Sequence, residues 1–174
     1  MSSTAMASTA YRVAGIAFGL ALPAMVVSSA QAQLLVHKEL SLATALTIAQ
    51  TASETCTAQG YHVSVTVVGR LGEVIVQLRG DNAPPHTVEN SQRKAYTART
   101  FRTSSAEFAK RVLKPGEPPG PQTMLTGIVA AAGALPIAIG EEVIGAVGVS
   151  GAPGGEKDEA CAKTGIDKVV NQLK

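Results

Sequence analysis

Of the three histidines in this 174-residue sequence, one lies in a context that favours metal chemistry. His86 follows Pro84 and Pro85, where the residue pattern predicts the start of a helix. The positive end of a helix dipole disfavours a protonated imidazole, so a ring nitrogen keeps the lone pair with which it can bind iron. The alternative is that His86 only caps or packs the helix. His62 begins a predicted strand and is interpreted as structural, and the case for His37 is weaker still.

Polar side chains continue beyond His86 along the same predicted helix. They recur at spacings of three and four residues: Glu89, Asn90, Arg93, Lys94 and Thr97. Such a stripe is either a solvated helix face or a place where Arg93 or Lys94 pairs with the carboxylates of a ligand. The net charge is only +2, too near neutral for the concentrated basic field of a nucleic-acid-binding face, and only 3% of the residues are aromatic. The composition therefore argues against a nucleic-acid partner.

A glycine-rich segment, residues 145–160 (GAVGVSGAPGGEKDEA), is the second candidate site. It is typical of a strand followed by a turn and a helix start, where backbone amides bind anions readily. The spacing of Gly145, Gly148 and Gly151 differs from the dinucleotide-binding fingerprint, and no further strand follows. The segment is either a structural turn that needs positive φ angles or a loop that lets a flat ligand approach the main chain. The sequence contains neither the G-x-S-x-G nor the H-E-x-x-H motif of hydrolytic enzymes.

The elements that must position these residues follow from the spacing of apolar side chains. Helices are predicted over residues 41–59, 85–102 and 105–112 and from about 155 to 173, and strands over 62–69, 73–78, 127–132, 135–139 and 142–150. Antiparallel strands interrupted by helices indicate the α+β class. We expect one face of the sheet to be covered and the other to be available to a second subunit.

The amino terminus has the pattern of a secretory signal. Its single charge, Arg12, precedes an apolar run (VAGIAFGLALPAMVV) and small residues at Ala30 and Ala32. Residues 1–32 are predicted to be removed, leaving a periplasmic or secreted domain of residues 33–174 with no membrane span. Because thiols pair in oxidising compartments, Cys56 and Cys161 are predicted to form a disulfide if their two helices are neighbours; the alternative is two buried free thiols.

Two blocks of sequence resemble a known family. RGDNAPPHTVENSQRKAYTARTF (residues 79–101) and GALPIAIGEEVIGAVGVSGAPGGEKDEACAKTG (residues 133–165) are similar to the GlcG/HbpS haem-binding family, which includes the C-terminal domain of PduO-type cobalamin adenosyltransferases. The resemblance implies a profilin-like fold with a central antiparallel five-stranded sheet flanked by helices. It also implies homo-oligomers and a haem site near the start of the second helix.

Carried onto this sequence, the resemblance implies a defined set of haem contacts. His86 would bind the iron with Thr87 behind it, and Arg93 or Lys94 would pair with the propionates. Three residues would line the pocket: Gly148, Ser150 and Gly151. The sequence thus predicts an exported haem-binding protein that captures, buffers or senses haem. The alternatives are an enzyme acting on haem or a small organic ligand in the same pocket, and an oligomeric scaffold with a vestigial pocket.

Overall fold

The computed structural model describes residues 33–173, so the predicted signal segment lies outside the described residues. The chain divides into two units, Met1–Leu35 and Val36–Lys174, and the second contains every helix and strand of the described residues. The α-helices are α1 (Leu42–Ala58), α2 (His86–Phe101), α3 (Ser105–Val112) and α4 (Gly155–Val169), and two short 3-10 helices span Pro121–Met124 and Val170–Gln172. The strands are β1 (Ser64–Val68), β2 (Val74–Arg79), β3 (Ala134–Ile139) and β4 (Glu142–Ser150).

The four strands form one antiparallel sheet in the order β2-β1-β4-β3. The predicted hairpin of residues 62–78 is therefore present as β1 and β2. In the central strand β1, Val65 and Val67 point to one face, and Ser64 and Thr66 point to the other. Because successive side chains of a strand alternate between faces, β1 contributes apolar side chains to one face of the sheet and polar side chains to the other.

The apolar face is covered by α1 and α4. Ser41 caps α1 by accepting a hydrogen bond from the Thr44 amide, and small or aliphatic residues of α1 pack into the main core. Cys56 of α1 and Cys161 of α4 form a disulfide with their Cα atoms 5.7 Å apart. The two helices are therefore linked covalently as well as by packing.

The polar face is covered by α2, which contradicts the expectation that one face would be open to another subunit. Gly148 of β4 lies so close to α2 that an added Cβ would be 2.7 Å from the Ala95 amide nitrogen. Two buried hydroxyl pairs cross the same interface, Ser64 with Thr87 and Thr66 with Ser91, each at 2.8 Å. The small residues of α2 therefore permit a close helix-to-sheet contact that is partly polar.

The prediction of a fifth strand over residues 127–132 is wrong. The Val129 amide donates to Thr97 Oγ1 at 3.0 Å, and the Ile128 carbonyl accepts from Arg93 at 2.8 Å. Since these backbone groups bond to side chains of α2, they make no ladder with a neighbouring strand. Ile128 of this apolar run is buried beside Phe108 of α3, where it packs into a small second core instead of a strand.

Candidate functional site

His86 is the first residue of α2 and its side chain is exposed. Pro85 occupies the position before it with helical backbone angles (φ −55°, ψ −39°), and no side chain caps this helix end. Within residues 33–173 the imidazole has no side-chain hydrogen bond. Neither ring nitrogen is therefore occupied by a side chain of the described residues, and one of them can bind a metal.

Two cavities meet at His86. One has a volume of about 330 Å³ and the other of about 320 Å³, and both are lined by His86 and Asn90. The larger extends toward the end of β4 and the start of α4, where its polar lining is completed by Lys94, Ser150 and Asp158. The smaller extends along α2 to Glu89 and Arg93. The imidazole thus lies at the shared boundary of two open spaces.

A buried ion pair forms part of the wall of the larger cavity. Lys94 Nζ lies 2.8 Å from Asp158 Oδ2 and also donates to the Val149 carbonyl at 3.1 Å. The two charged side chains are only 5% and 3% exposed. Asp158 also accepts from the Ala152 amide at 3.0 Å. Burial raises the pKa of Asp158 above its ordinary value, and Lys94 and the Ala152 amide oppose that rise.

This pairing changes the interpretation of Lys94. Its ammonium group already contacts a carboxylate and a carbonyl, and its side chain is almost fully buried. If Lys94 paired with a ligand carboxylate instead, the Asp158 carboxylate would be left buried without a cation. Lys94 therefore joins α2 to α4 and the end of β4, and Arg93 is the more available cation.

Arg93 points into the smaller cavity and is 41% exposed. One of its nitrogens donates to the Ile128 carbonyl at 2.8 Å, and another lies 3.5 Å from Glu89. The guanidinium has five N–H groups in a planar fork, so these two contacts leave donors for an incoming carboxylate. The smaller cavity therefore contains both a cationic side chain, Arg93, and an imidazole, His86.

The end of β4 gives the larger cavity its polar edge. Asn90 Nδ2 donates to Ser150 Oγ at 2.9 Å, which links α2 to the strand end. Gly151 follows with φ 134°, a backbone conformation that a side chain would strain, and an added Cβ would overlap the His62 carbonyl. The glycine-rich segment is therefore a structural turn that also lines a cavity.

Two of the sequence-predicted site residues lie elsewhere. Thr87 is fully buried and bonds to Ser64 and to the Pro84 carbonyl. Gly148 faces the backbone of α2 at Ser91 and Ala95. Neither residue lines the two cavities, because both serve the contact between α2 and the sheet.

The structure also places Asn90 and Asp158 in the site, although neither is among the site residues predicted from the sequence. Asn90 stands out in the sequence only as part of a polar stripe, and Asp158 only as an acidic residue in the first turn of a helix. Asp158 is 64 positions from its partner Lys94, so no local spacing could indicate the pair.

The described residues contain no cluster of three or more His, Cys, Asp or Glu side chains suited to holding a metal ion. A metal at this site would therefore rely on His86 together with ligands from outside the chain, as iron does within a porphyrin. None of the described helices is both long enough and apolar enough to cross a bilayer.

Comparison with known proteins identifies the family. A family model described as haem degrading protein HbpS-like matches residues 40–167. This chain belongs to the HbpS-like family. The resemblance read from the sequence is confirmed, and the HbpS-like match covers all four strands and the three helices α1, α2 and α3, together with nearly all of α4.

Solved structures agree with the HbpS-like assignment. The crystal structure of HbpS is 34% identical, covering 79% of this chain and 94% of that one with a TM-score of 0.74. Klebsiella pneumoniae protein ORFY is 28% identical, covering 80% and 96% with a TM-score of 0.72. A complex of PduOC with haem is 25% identical, covering 74% and 93% with a TM-score of 0.67. No curated protein sequence matches the chain.

Proposed function

We propose that this protein binds haem through His86, in the space formed by the two adjoining cavities at the start of α2. The observation that carries the proposal is the exposed, unbonded imidazole at the boundary of the two cavities. The family description and the PduOC complex with haem give independent support.

The residues present fit a porphyrin in three respects. His86 offers an imidazole nitrogen, Arg93 offers spare N–H groups for a propionate, and the lining of the larger cavity includes small residues. These small residues are Ala131, Ala132, Gly151, Ala152 and Gly155. Small side chains leave room for a flat ring, and haem bound there would supply an iron centre for capture, storage or sensing.

A haemin titration of the purified protein tests the proposal. We expect a saturable Soret shift in the wild type and its loss, or at least an about tenfold weaker affinity, in His86→Ala. His62→Ala is the matched control, because His62 is also exposed and lines neither cavity. An unchanged titration in His86→Ala would refute the assignment of the iron ligand.

Arg93→Gln separates the propionate contact from iron binding. Loss of one charge-assisted hydrogen bond should weaken haemin binding while the Soret position stays that of a histidine-bound iron. Equal affinity in Arg93→Gln and the wild type would contradict this role for Arg93.

Haem degradation is the second candidate, since the family description names it. Adding ascorbate in air to the haem complex distinguishes the two functions. With catalase present to remove free hydrogen peroxide, a binding protein keeps its Soret band, whereas an enzyme loses it and produces an opened tetrapyrrole as dioxygen and reductant are consumed.

We also propose that the protein is exported and acts in the periplasm or outside the cell. The disulfide between Cys56 and Cys161 supports this proposal, because such bonds persist in oxidising compartments. Cell fractionation, with mass spectrometry of the amino terminus, tests it: a mature chain beginning at Gln33 is expected. The predicted homo-oligomer is tested by light scattering of the same material.

A further inference from the structure

A third cavity lies at the opposite end of α2 from His86. It has a volume of about 480 Å³. Its lining contains three arginines and three glutamates: Arg70, Arg99, Arg102, Glu39, Glu141 and Glu142. Arg99 is 13 positions beyond His86 on the same helix, which corresponds to roughly 20 Å of helix length. The cavity is therefore separate from the proposed haem site.

The charged groups of this cavity are only partly matched to one another. Arg70 forms an ion pair with Glu142 and lies 3.2 Å from His37 Nδ1. Within residues 33–173, neither Arg99 nor Arg102 forms an ion pair, and the same holds for Glu39 and Glu141. Two arginines and two glutamates that line this cavity therefore have no ion-pair partner among the described residues.

Arg99 carries the clearest sign of a missing partner. Its Nε is the one buried side-chain nitrogen or oxygen in the described part of the chain that has no hydrogen-bond partner. The pKa of Arg99 is lowered, first by burial and then by the charges of Arg102 and Arg70, while Glu73 opposes the shift. A buried donor without an acceptor costs free energy, so the Arg99 side chain is incompletely satisfied where it lines the cavity.

The backbone brings the second arginine to the same place. Arg102 ends α2 in the left-handed conformation, with φ 53° and ψ 38°. Residues other than glycine, asparagine and aspartate adopt this conformation less often, and here it ends the helix. Arg99, in the last turn of α2, and Arg102, at the end of that helix, therefore line the same cavity.

We propose that this cavity binds a small aliphatic amino acid as its zwitterion. The ligand carboxylate would pair with Arg99 and Arg102, and its ammonium group with Glu39 and Glu141. Leu71, which is 87% exposed, and Val143 supply apolar surface for an aliphatic side chain. A phosphate group is disfavoured, because the glutamates in the lining would repel its extra negative charge.

Three related compounds test which charges the site needs. L-leucine carries both charged groups, 4-methylpentanoate lacks the amine, and 3-methylbutylamine lacks the carboxylate. Each is titrated into the purified wild-type protein and followed by ¹H–¹⁵N NMR. We expect saturable shifts of the Arg99 and Arg102 amides with L-leucine, and at least about tenfold weaker binding of the other two, since each loses a set of charge-assisted hydrogen bonds.

Variants assign the two ends of the ligand. Arg99→Gln should weaken L-leucine binding by about tenfold or more, whereas Arg111→Gln, an exposed arginine outside the cavity, should change it by less than about twofold. Glu141→Gln should weaken L-leucine but leave 4-methylpentanoate unchanged or tighter. Circular dichroism of each variant verifies folding.

Three results would overturn the proposal. One is equal binding of L-leucine and 4-methylpentanoate, another is undiminished L-leucine binding by Arg99→Gln, and the third is inorganic phosphate binding more tightly than L-leucine. Haem binding at His86 is read from the Soret band and does not enter this test, so the two proposals fail independently.

Discussion

The disulfide between α1 and α4 gives a stability prediction whose size follows from the structure. Cys56 and Cys161 are 105 positions apart, so their bond closes most of the folded domain into one loop. The chain-entropy relation for a loop of that length gives about 4.8 kcal/mol at 25 °C, and measured values for native disulfides run from about 2 to 5 kcal/mol. We expect the double variant Cys56→Ala/Cys161→Ala to lose free energy of unfolding within that range.

The assay is urea unfolding followed by circular dichroism, with and without a reductant. For a typical slope of about 2 kcal/mol per M, the loss corresponds to a fall of roughly 1–2.5 M in the midpoint. Reduced wild-type protein should move toward the double variant. The double variant is itself the control, because the reductant should leave its midpoint unchanged.

Two outcomes would refute this reasoning. The first is a wild-type midpoint that stays the same after full reduction, verified by thiol titration. The second is a double variant as stable as the untreated wild type. Either result would mean that packing between α1 and α4 constrains the chain without help from the bond.

Two further predictions concern the contacts that hold α2. Lys94→Met should lower the free energy of unfolding by about 3–5 kcal/mol, because it leaves the Asp158 carboxylate buried without a cation; Lys94→Met/Asp158→Leu should recover most of the loss in urea titrations. A single variant as stable as the wild type would contradict this role for the pair. Gly148→Ala should cost about 1–3 kcal/mol, since its Cβ would meet the backbone of α2 at Ser91 and Ala95. The thermal midpoint measures this loss, and an unchanged midpoint would show that the helix shifts freely.

Local pattern was enough to predict most of the elements. Ser41 and Gly60 bracket the first helix, and the alternation from Ser64 to Val68 marks a strand, because capping and side-chain periodicity depend only on neighbours in the chain. The same reasoning failed at residues 127–132. An apolar run indicates that a segment is buried, but it does not identify the hydrogen-bond partners of the segment's backbone. Here those partners are Thr97 and Arg93, which lie 32 and 35 positions away in α2.

The sequence by itself determined the α+β class, the family and the position of His86 at a helix start, since each depends on residue types in order. The tertiary structure alone decided which charged groups are free. It pairs Lys94 with Asp158, buries Thr87 against the sheet, and leaves Arg99 with an unpaired nitrogen beside a cavity. Ion pairing and burial depend on distances between residues far apart in the chain, and those distances exist only after α2 has packed across the sheet.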